Sequence, residues 1–275
     1  MEKKELSPEK KWENLTLANN FIFYKVMRHH PDACQHLIEL LLGIKIEKIE
    51  IRGEEAIFID KDSHGVRLDV YVKDTNKIFD VEMQATDTKD LPERARYYQG
   101  VMDIDTLGAG QQYKELKDSH VIFICMEDIF ENGLPACTFE NVCAEDGRTR
   151  LNDRAYKHFF IAQNCAKMAK DKDIREFFEF LLSNKPKSAF TAELRDYATD
   201  ATHNTQWRIQ YMTWERQRSY DLTAGYEKGV RETAKNLLRM GVLTPEQIAE
   251  AVSLPLEEVL ALREETAPRE ILNQS

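Results

Sequence analysis

Two short segments carry acids at a spacing that suits metal chemistry: Val66-Arg67-Leu68-Asp69-Val70-Tyr71-Val72 and Ile78-Phe79-Asp80-Val81-Glu82-Met83-Gln84-Ala85. Both alternate with the period of a β-strand, in which successive side chains point to opposite faces. Leu68, Val70 and Val72 then share one face of the first strand, and Phe79, Val81, Met83 and Ala85 share one face of the second; these two form the buried side of a hairpin. The opposite side displays Arg67, Asp69 and Tyr71 beside Asp80, Glu82 and Gln84. The connecting Lys73-Asp74-Thr75-Asn76-Lys77 favours a tight turn, and a two- or four-residue loop pairs positions whose numbers sum to 151. Asp69 then faces Glu82, with Cβ atoms ~5 Å apart, and like charges so placed are destabilising unless something neutralises them. A divalent cation would do so, since Mg²⁺ takes hard oxygen ligands, typically one or two carboxylates completed by water and phosphate. An ordinary half-exposed hairpin with a polar outer face, one acid neutralised by Arg67, fits the same pattern, and the pattern alone does not separate the two.

The elements around this hairpin read as an α/β or α+β core. Leu15 to Met27 and Asp32 to Leu42 have helical spacing, with Pro31 in the first turn of the second helix and Gly43 closing it. Strand signals follow at Ile46–Ile51, Glu55–Ile59, Val66–Val72, Ile78–Ala85 and His120–Met126, with a helical stretch from Leu91 to about Tyr113 before the last. After a looser segment, Phe130–Asp153, the run Ala155–Ala162 suggests one more strand. Beyond it the spacing is helical over Asp171–Leu182, Ala189–Arg218 and Tyr226–Met240, and Thr244–Arg263 reads as two small helices split at Leu254-Pro255. A division near Asn164 is expected, into an α/β domain (1–164) and a helical region (165–275) that ends in a helix-turn-helix-like tail.

With 275 residues, 42% hydrophobic and 31% charged, the chain can bury a sizeable core and is neither disordered nor disulfide-stapled. Its longest apolar runs fall far short of the ~20 residues of a membrane-spanning helix, and the N-terminal MEKKELSPEKKWE has no apolar stretch behind its lysines. A cytoplasmic address is expected. The five cysteines are scattered without CxxC spacing, which points to reduced thiols rather than a zinc site. The formal net charge of −10 runs against a general nucleic-acid-binding surface, so any DNA contact must come from a local cluster of Lys and Arg.

Asp69-Val70 and, after ten further residues, Val81-Glu82-Met83-Gln84 form a D…VExQ pattern behind two N-terminal helices. Together with GVRLDVYVKD, FDVEMQATD, LPERARYYQGVMD, HVIFICMEDIF, CTFENVC and the tail AKNLLRMGVLTPEQIAEAVSLPLEEV, this resembles the Rpn family of recombination-promoting nucleases, also called PD-(D/E)XK nuclease family transposases. The resemblance covers nearly the whole chain. It implies a restriction-endonuclease-like core, a mixed sheet flanked by helices, followed by a helical C-terminal region. It also implies a metal-dependent DNA endonuclease with Asp69 and Glu82 as ligands of Mg²⁺ or Mn²⁺. Gln84 stands where many PD-(D/E)XK enzymes have lysine; it can orient a water but brings no positive charge to the transition state. Arg94 and Arg96, on the following helix, are expected to meet phosphate, and Tyr98 to line the site. One position departs from the pattern: Asn20 stands in the first helix where many relatives carry an acid, and an amide is a poorer Mg²⁺ ligand.

Other features have plainer readings. His29, His30 and His36 lack the companion ligands of a zinc site. Trp207, Tyr211, Trp214 and Arg218 share a helical face of the kind that packs against protein. The tail from Gly241 onward carries seven glutamates against two arginines, a charge balance that repels phosphate and suits self-association or protein contact. Two functions compete: a Mg²⁺-dependent endonuclease associated with recombination or mobile elements, and a catalytically silent relative that binds DNA or a partner protein.

Overall fold

A computed structural model describes residues 7–51 and 68–266. The strand expected at Glu55–Ile59, together with Val66 and Arg67, lies outside the described residues. The chain divides into two compact units, Met1–Arg208 and Ile209–Ser275. The helices that follow residue 164 up to Arg208 thus belong with the sheet rather than with the tail.

The first unit opens with α1 (Pro8–Glu13), α2 (Asn20–His29) and α3 (Pro31–Leu42). The side chain of Asn19 caps α2 by accepting from the N–H groups of Phe21 and Ile22, so the helix starts five residues later than its apolar spacing suggests. Gly43, at φ +64°, closes α3 in the left-handed conformation open to glycine. Six strands form one sheet: β1 (Glu50–Ile51), β2 (Val70–Lys73), β3 (Lys77–Gln84), β4 (Asp118–Cys125), β5 (Ala136–Phe139) and β6 (Ala155–Ile161), in the order β1-β2-β3-β4-β6-β5. β3, β4 and β6 run parallel at the centre, while β1–β2, β2–β3 and β5–β6 are antiparallel. This is the mixed sheet flanked by helices that the resemblance implies.

The parallel β3 and β4 are joined through α4 (Leu91–Thr106), a crossover that lays a helix on the sheet. Helices on both sides are the usual consequence, and both faces of β3 are accordingly buried, from Ile78 through Met83. This corrects the half-exposed hairpin: its polar face is not solvent surface but lies under α4. That face collects Tyr71, Ile78, Val121, Phe123, Cys125, Phe159 and Ile161 with Leu91, Ala95, Val101 and Met102 of the helix. Leu68 joins this cluster as well. It does not share a face with Val70 and Val72, because the chain bends at Asp69 and strand alternation begins only at Val70.

α4 stops at Thr106, short of the expected Tyr113, where Gly108 and Gly110 (φ +87°) turn the chain toward β4. Three polar side chains pin it along its length. Arg94 reaches β3; Gln99 donates to the Ser119 carbonyl and accepts from Lys157; Asp105 accepts from Tyr71 and pairs with Lys73 at 2.8 Å. The looser segment contains the edge strand β5. α5 (Ala162–Met168), α6 (Lys172–Ser183) and α7 (Ala189–His203) follow β6. The helix expected over 189–218 breaks at Asn204, whose side chain caps the next helix by accepting from the Trp207 N–H at 3.0 Å. His30 stacks on Tyr197 and His36 on Phe190, and His29 meets the Trp207 ring at a tilt, which makes these histidines part of helix packing.

α8 (Thr205–Met240) runs unbroken through Gly225 and Gly229 into the second unit. There its last turns pack with α9 (Pro245–Val252) and α10 (Leu256–Thr266) around Ala234, Ile248, Val259 and Leu262. A capping box between Thr244 and Gln247 starts α9. Among the described residues no helix is long and apolar enough to cross a membrane, and all five cysteines are free thiols.

Candidate active site

The acids meet at the carboxyl end of β3, where the chain leaves the sheet for the loop into α4. Open sheets with parallel strands commonly gather their functional groups at this edge. The hairpin register is Val70 with Val81, Tyr71 with Asp80, Val72 with Phe79 and Lys73 with Ile78, a numbering sum of 151. Continued by one step, it sets Asp69 against Glu82.

Glu82 is 3% exposed. Its Oε1 accepts from the main-chain N–H of Asp69 at 2.9 Å, and its Oε2 accepts from Nη2 of Arg94 at 3.3 Å. Asp80 lies on the same face, fully buried, paired across the sheet with Tyr71 on one side and Val121 on the other. Neither of its carboxylate oxygens meets a hydrogen-bond donor among the described residues; its neighbour on that face is the Glu82 carboxyl, with which it can bond only by sharing a proton. Burial pushes the Asp80 carboxyl well above the usual range and the charge of Asp69 adds to that; burial, then Asp69 and Asp80, do the same to Glu82. Three acids with one nearby guanidinium form an under-compensated negative site.

Gln84 has both ends of its amide engaged. Its Nε2 donates to the Thr86 carbonyl at 2.8 Å, and its Oε1 accepts from Nη1 of Arg94 at 3.1 Å. Arg94 also donates to the Tyr98 hydroxyl from Nε at 3.1 Å and from Nη2 at 3.0 Å, and its guanidinium lies over the rings of Tyr98 and Phe123. Burial, reinforced by the Glu82 charge, raises the Tyr98 phenol to about 12. Arg94 and Tyr98, four residues apart, share the site-facing side of α4.

The structure therefore brings Asp69, Glu82, Gln84, Arg94 and Tyr98 together. Arg96 is not among them: two residues on from Arg94 it turns away around the helix and is exposed. Asn20 begins α2, and its Oδ1 accepts from the adjacent Phe21 N–H at 2.9 Å. Phe123, which floors the guanidinium, went unnoticed in the sequence because nothing in an apolar strand marks which ring will sit beneath a distant arginine.

Among the described residues no three His, Cys, Asp or Glu side chains form a ready-made metal cage. The donors nevertheless suit a hard divalent ion. Asp69 and Glu82 offer two carboxylates, the unpartnered oxygens of Asp80 add negative charge, and Mg²⁺ ordinarily completes its shell with water and phosphate.

A mixed sheet between helices, with this acid pair at the end of a central strand, is a PD-(D/E)XK-like α/β core. The chain belongs to the PD-(D/E)XK nuclease family transposases, whose family model matches residues 20–221, from the first residue of α2 into α8. Searches of curated proteins and of solved structures found no match. The family points to a nuclease related to transposition or recombination, and PD-(D/E)XK nucleases typically use divalent metals.

Proposed function

We propose that the protein is a Mg²⁺- or Mn²⁺-dependent DNA endonuclease that hydrolyses phosphodiester bonds, with Asp69 and Glu82 as the metal ligands. The observation that carries this reading is the buried, under-compensated acid group: Glu82 opposite Asp69, with the unpartnered Asp80 behind them. Burying acids this close together is costly unless they take up protons or a cation offsets them, and a divalent ion is the offset that also suits two carboxylates at the end of a strand.

The bound metal would polarise a phosphoryl oxygen and lower the pKa of its water. The chain's own residues prepare the place. The Asp69 N–H fixes one oxygen of Glu82, and Arg94 fixes the other. Tyr98, protonated over the whole working range, holds the guanidinium on the site-facing side of α4. Arg96, exposed on the same helix, is available to a DNA backbone outside the site. We place any self-association on the helical C-terminal region, and we assign the protein to the cytoplasm, where its five free thiols remain reduced.

A nicking assay on supercoiled plasmid and on linear single strands, in Mg²⁺, Mn²⁺ and EDTA, tests the proposal. Cutting that requires metal and is lost in Asp69→Asn and Glu82→Gln supports it. A folded protein that cuts nothing in either metal is instead a silent relative acting through binding.

A further inference from the structure

We infer that Arg94 provides the positive charge that the motif assigns to a lysine at position 84, and that Gln84 is the positioning residue that aims it. The inference rests on reading the protein as a phosphodiesterase. The motif (D/E)XK puts lysine two residues after its acid, and here that place holds Gln84, which carries no charge. The structure puts a guanidinium there instead: Nη1 of Arg94 is 3.1 Å from Oε1 of Gln84.

The amide is held in the orientation this needs. With Nε2 committed to the Thr86 carbonyl, Oε1 is the end presented to Arg94, so Gln84 acts as an acceptor for the arginine rather than as a holder of water. A lysine at 84 would set two cations about 3 Å apart, which makes the neutral strand residue and the helix arginine an either-or pair.

Arg94 is also unlike a surface residue that merely attracts DNA. Its side chain is 27% exposed and rests on Phe123, with N–H groups directed to Glu82, Gln84 and twice to Tyr98. A guanidinium has five N–H donors, so one, on Nη1 beside Gln84, remains for a phosphoryl oxygen. A donor fixed in this way strengthens as charge develops on that oxygen, and so acts on turnover rather than on substrate affinity.

The test moves the charge back to the strand. In Mg²⁺ or Mn²⁺, Arg94→Gln should lower kcat by about 10²- to 10³-fold, the usual cost of losing one such donor, with KM and the Kd for duplex DNA in Ca²⁺ both within about threefold of wild type. Gln84→Lys added to Arg94→Gln should recover at least about tenfold of that loss, while Gln84→Lys alone should impair the enzyme. Should Arg94→Gln fail to fold, Arg94→Lys provides the measurement: its kcat should fall as pH rises toward ~10, where a lysine loses its proton, while wild type shows no such limb. A wild type that cuts alongside an Arg94→Gln variant within threefold of it, a lysine at 84 that restores nothing, or an Arg94→Lys profile like that of wild type overturns the assignment and leaves the nuclease reading standing. A wild type that cuts no DNA in either metal removes both.

Discussion

The main-chain N–H of Asp69 donates to Oε1 of Glu82 across 2.9 Å, so the residue opposite the buried acid contributes its backbone to holding that acid in place. The bond links hairpin register to site geometry. A one-residue slip would turn Glu82 to the α2 side of the sheet and Val81 toward α4. Because the bend at Asp69 ends strand alternation there, the side chain of Asp69 is only half-buried while Glu82 is enclosed. One acid of the pair is thus partly exposed and the other is enclosed beneath the helix.

Glu82→Gln and Asp69→Asn should each reduce nicking by at least about 10³-fold while leaving a folded protein, because both keep side-chain volume, although the amide at 82 can accept from only one of the two donors, the Asp69 N–H or Arg94, that the carboxylate satisfies. Glu82→Ala should differ. It strands the Asp69 N–H and takes away the anion that Arg94 bonds, a loss of about 1–3 kcal/mol in stability. Melting curves beside activity assays separate the two effects, and full activity in either isosteric variant would remove that residue from the site.

Divalent metal should raise thermal stability. A cation that binds only the native state at ten times its dissociation constant contributes about 1.4 kcal/mol, or roughly 3–6 °C for a unit of this size. Asp69→Asn should melt higher than wild type in EDTA, since it relieves repulsion with Glu82 and Asp80, and should respond less to Mg²⁺. Equal metal shifts in both proteins at constant ionic strength would show that Asp69 is no ligand.

Much of this arrangement was legible in the sequence, and the reasons are local. Alternation with period two set the faces of β3, the turn residues set the register that pairs Tyr71 with Asp80, and the spacing of Arg94 and Tyr98 put both on one side of α4. What pattern could not supply was what lies across from a face. Asp80 reads as a surface acid until a parallel neighbour, β4, is known to require the α4 crossover that buries it. Arg96 looks equivalent to Arg94 until the helix is docked. Likewise the break at Asn204 is a side-chain cap within continuous helical spacing, which periodicity passes over.

The middle of α8 leaves Tyr220, Leu222 and Tyr226 exposed, at 64%, 65% and 71%. Leu222 and Tyr226 are one turn apart on the same face, a spacing at which a second helix can cover both. If the protein self-associates through this region, Leu222→Glu with Tyr226→Glu should shift the species seen by sedimentation toward the monomer without lowering the melting temperature. An unchanged distribution would place any self-association elsewhere.

The last prediction concerns acid. On the sheet face opposite α4, Nδ1 of His120 meets Nε2 of His158 at 3.0 Å, and Nδ1 of His158 meets Oγ1 of Thr138 at 3.0 Å. Phe79 and Tyr156 stack on His120, Lys77 is the nearby cation, and Glu140 is the acid acting on His158. Burial lowers His120 to about 3, with His158 and Lys77 adding to the shift, and burial lowers His158 to about 4. An unfolded histidine titrates near ~6.5, so between that pH and about 4 the unfolded chain binds protons the native pair refuses, and stability must fall as pH falls. At ~1.4 kcal/mol per unit, the loss down to pH ~4 should be roughly 3 kcal/mol after allowance for water entering the site. Asp80 and Glu82 act in the opposite sense, because their raised values make the native state the better proton binder in that range. His120→Phe with His158→Phe keeps aromatic stacking and removes the titration. Its unfolding free energy by urea should therefore level off or rise from pH 6.5 to 4, where that of wild type falls. Parallel curves for the two proteins would mean that the histidine pair takes up protons in the native state as readily as in the unfolded chain.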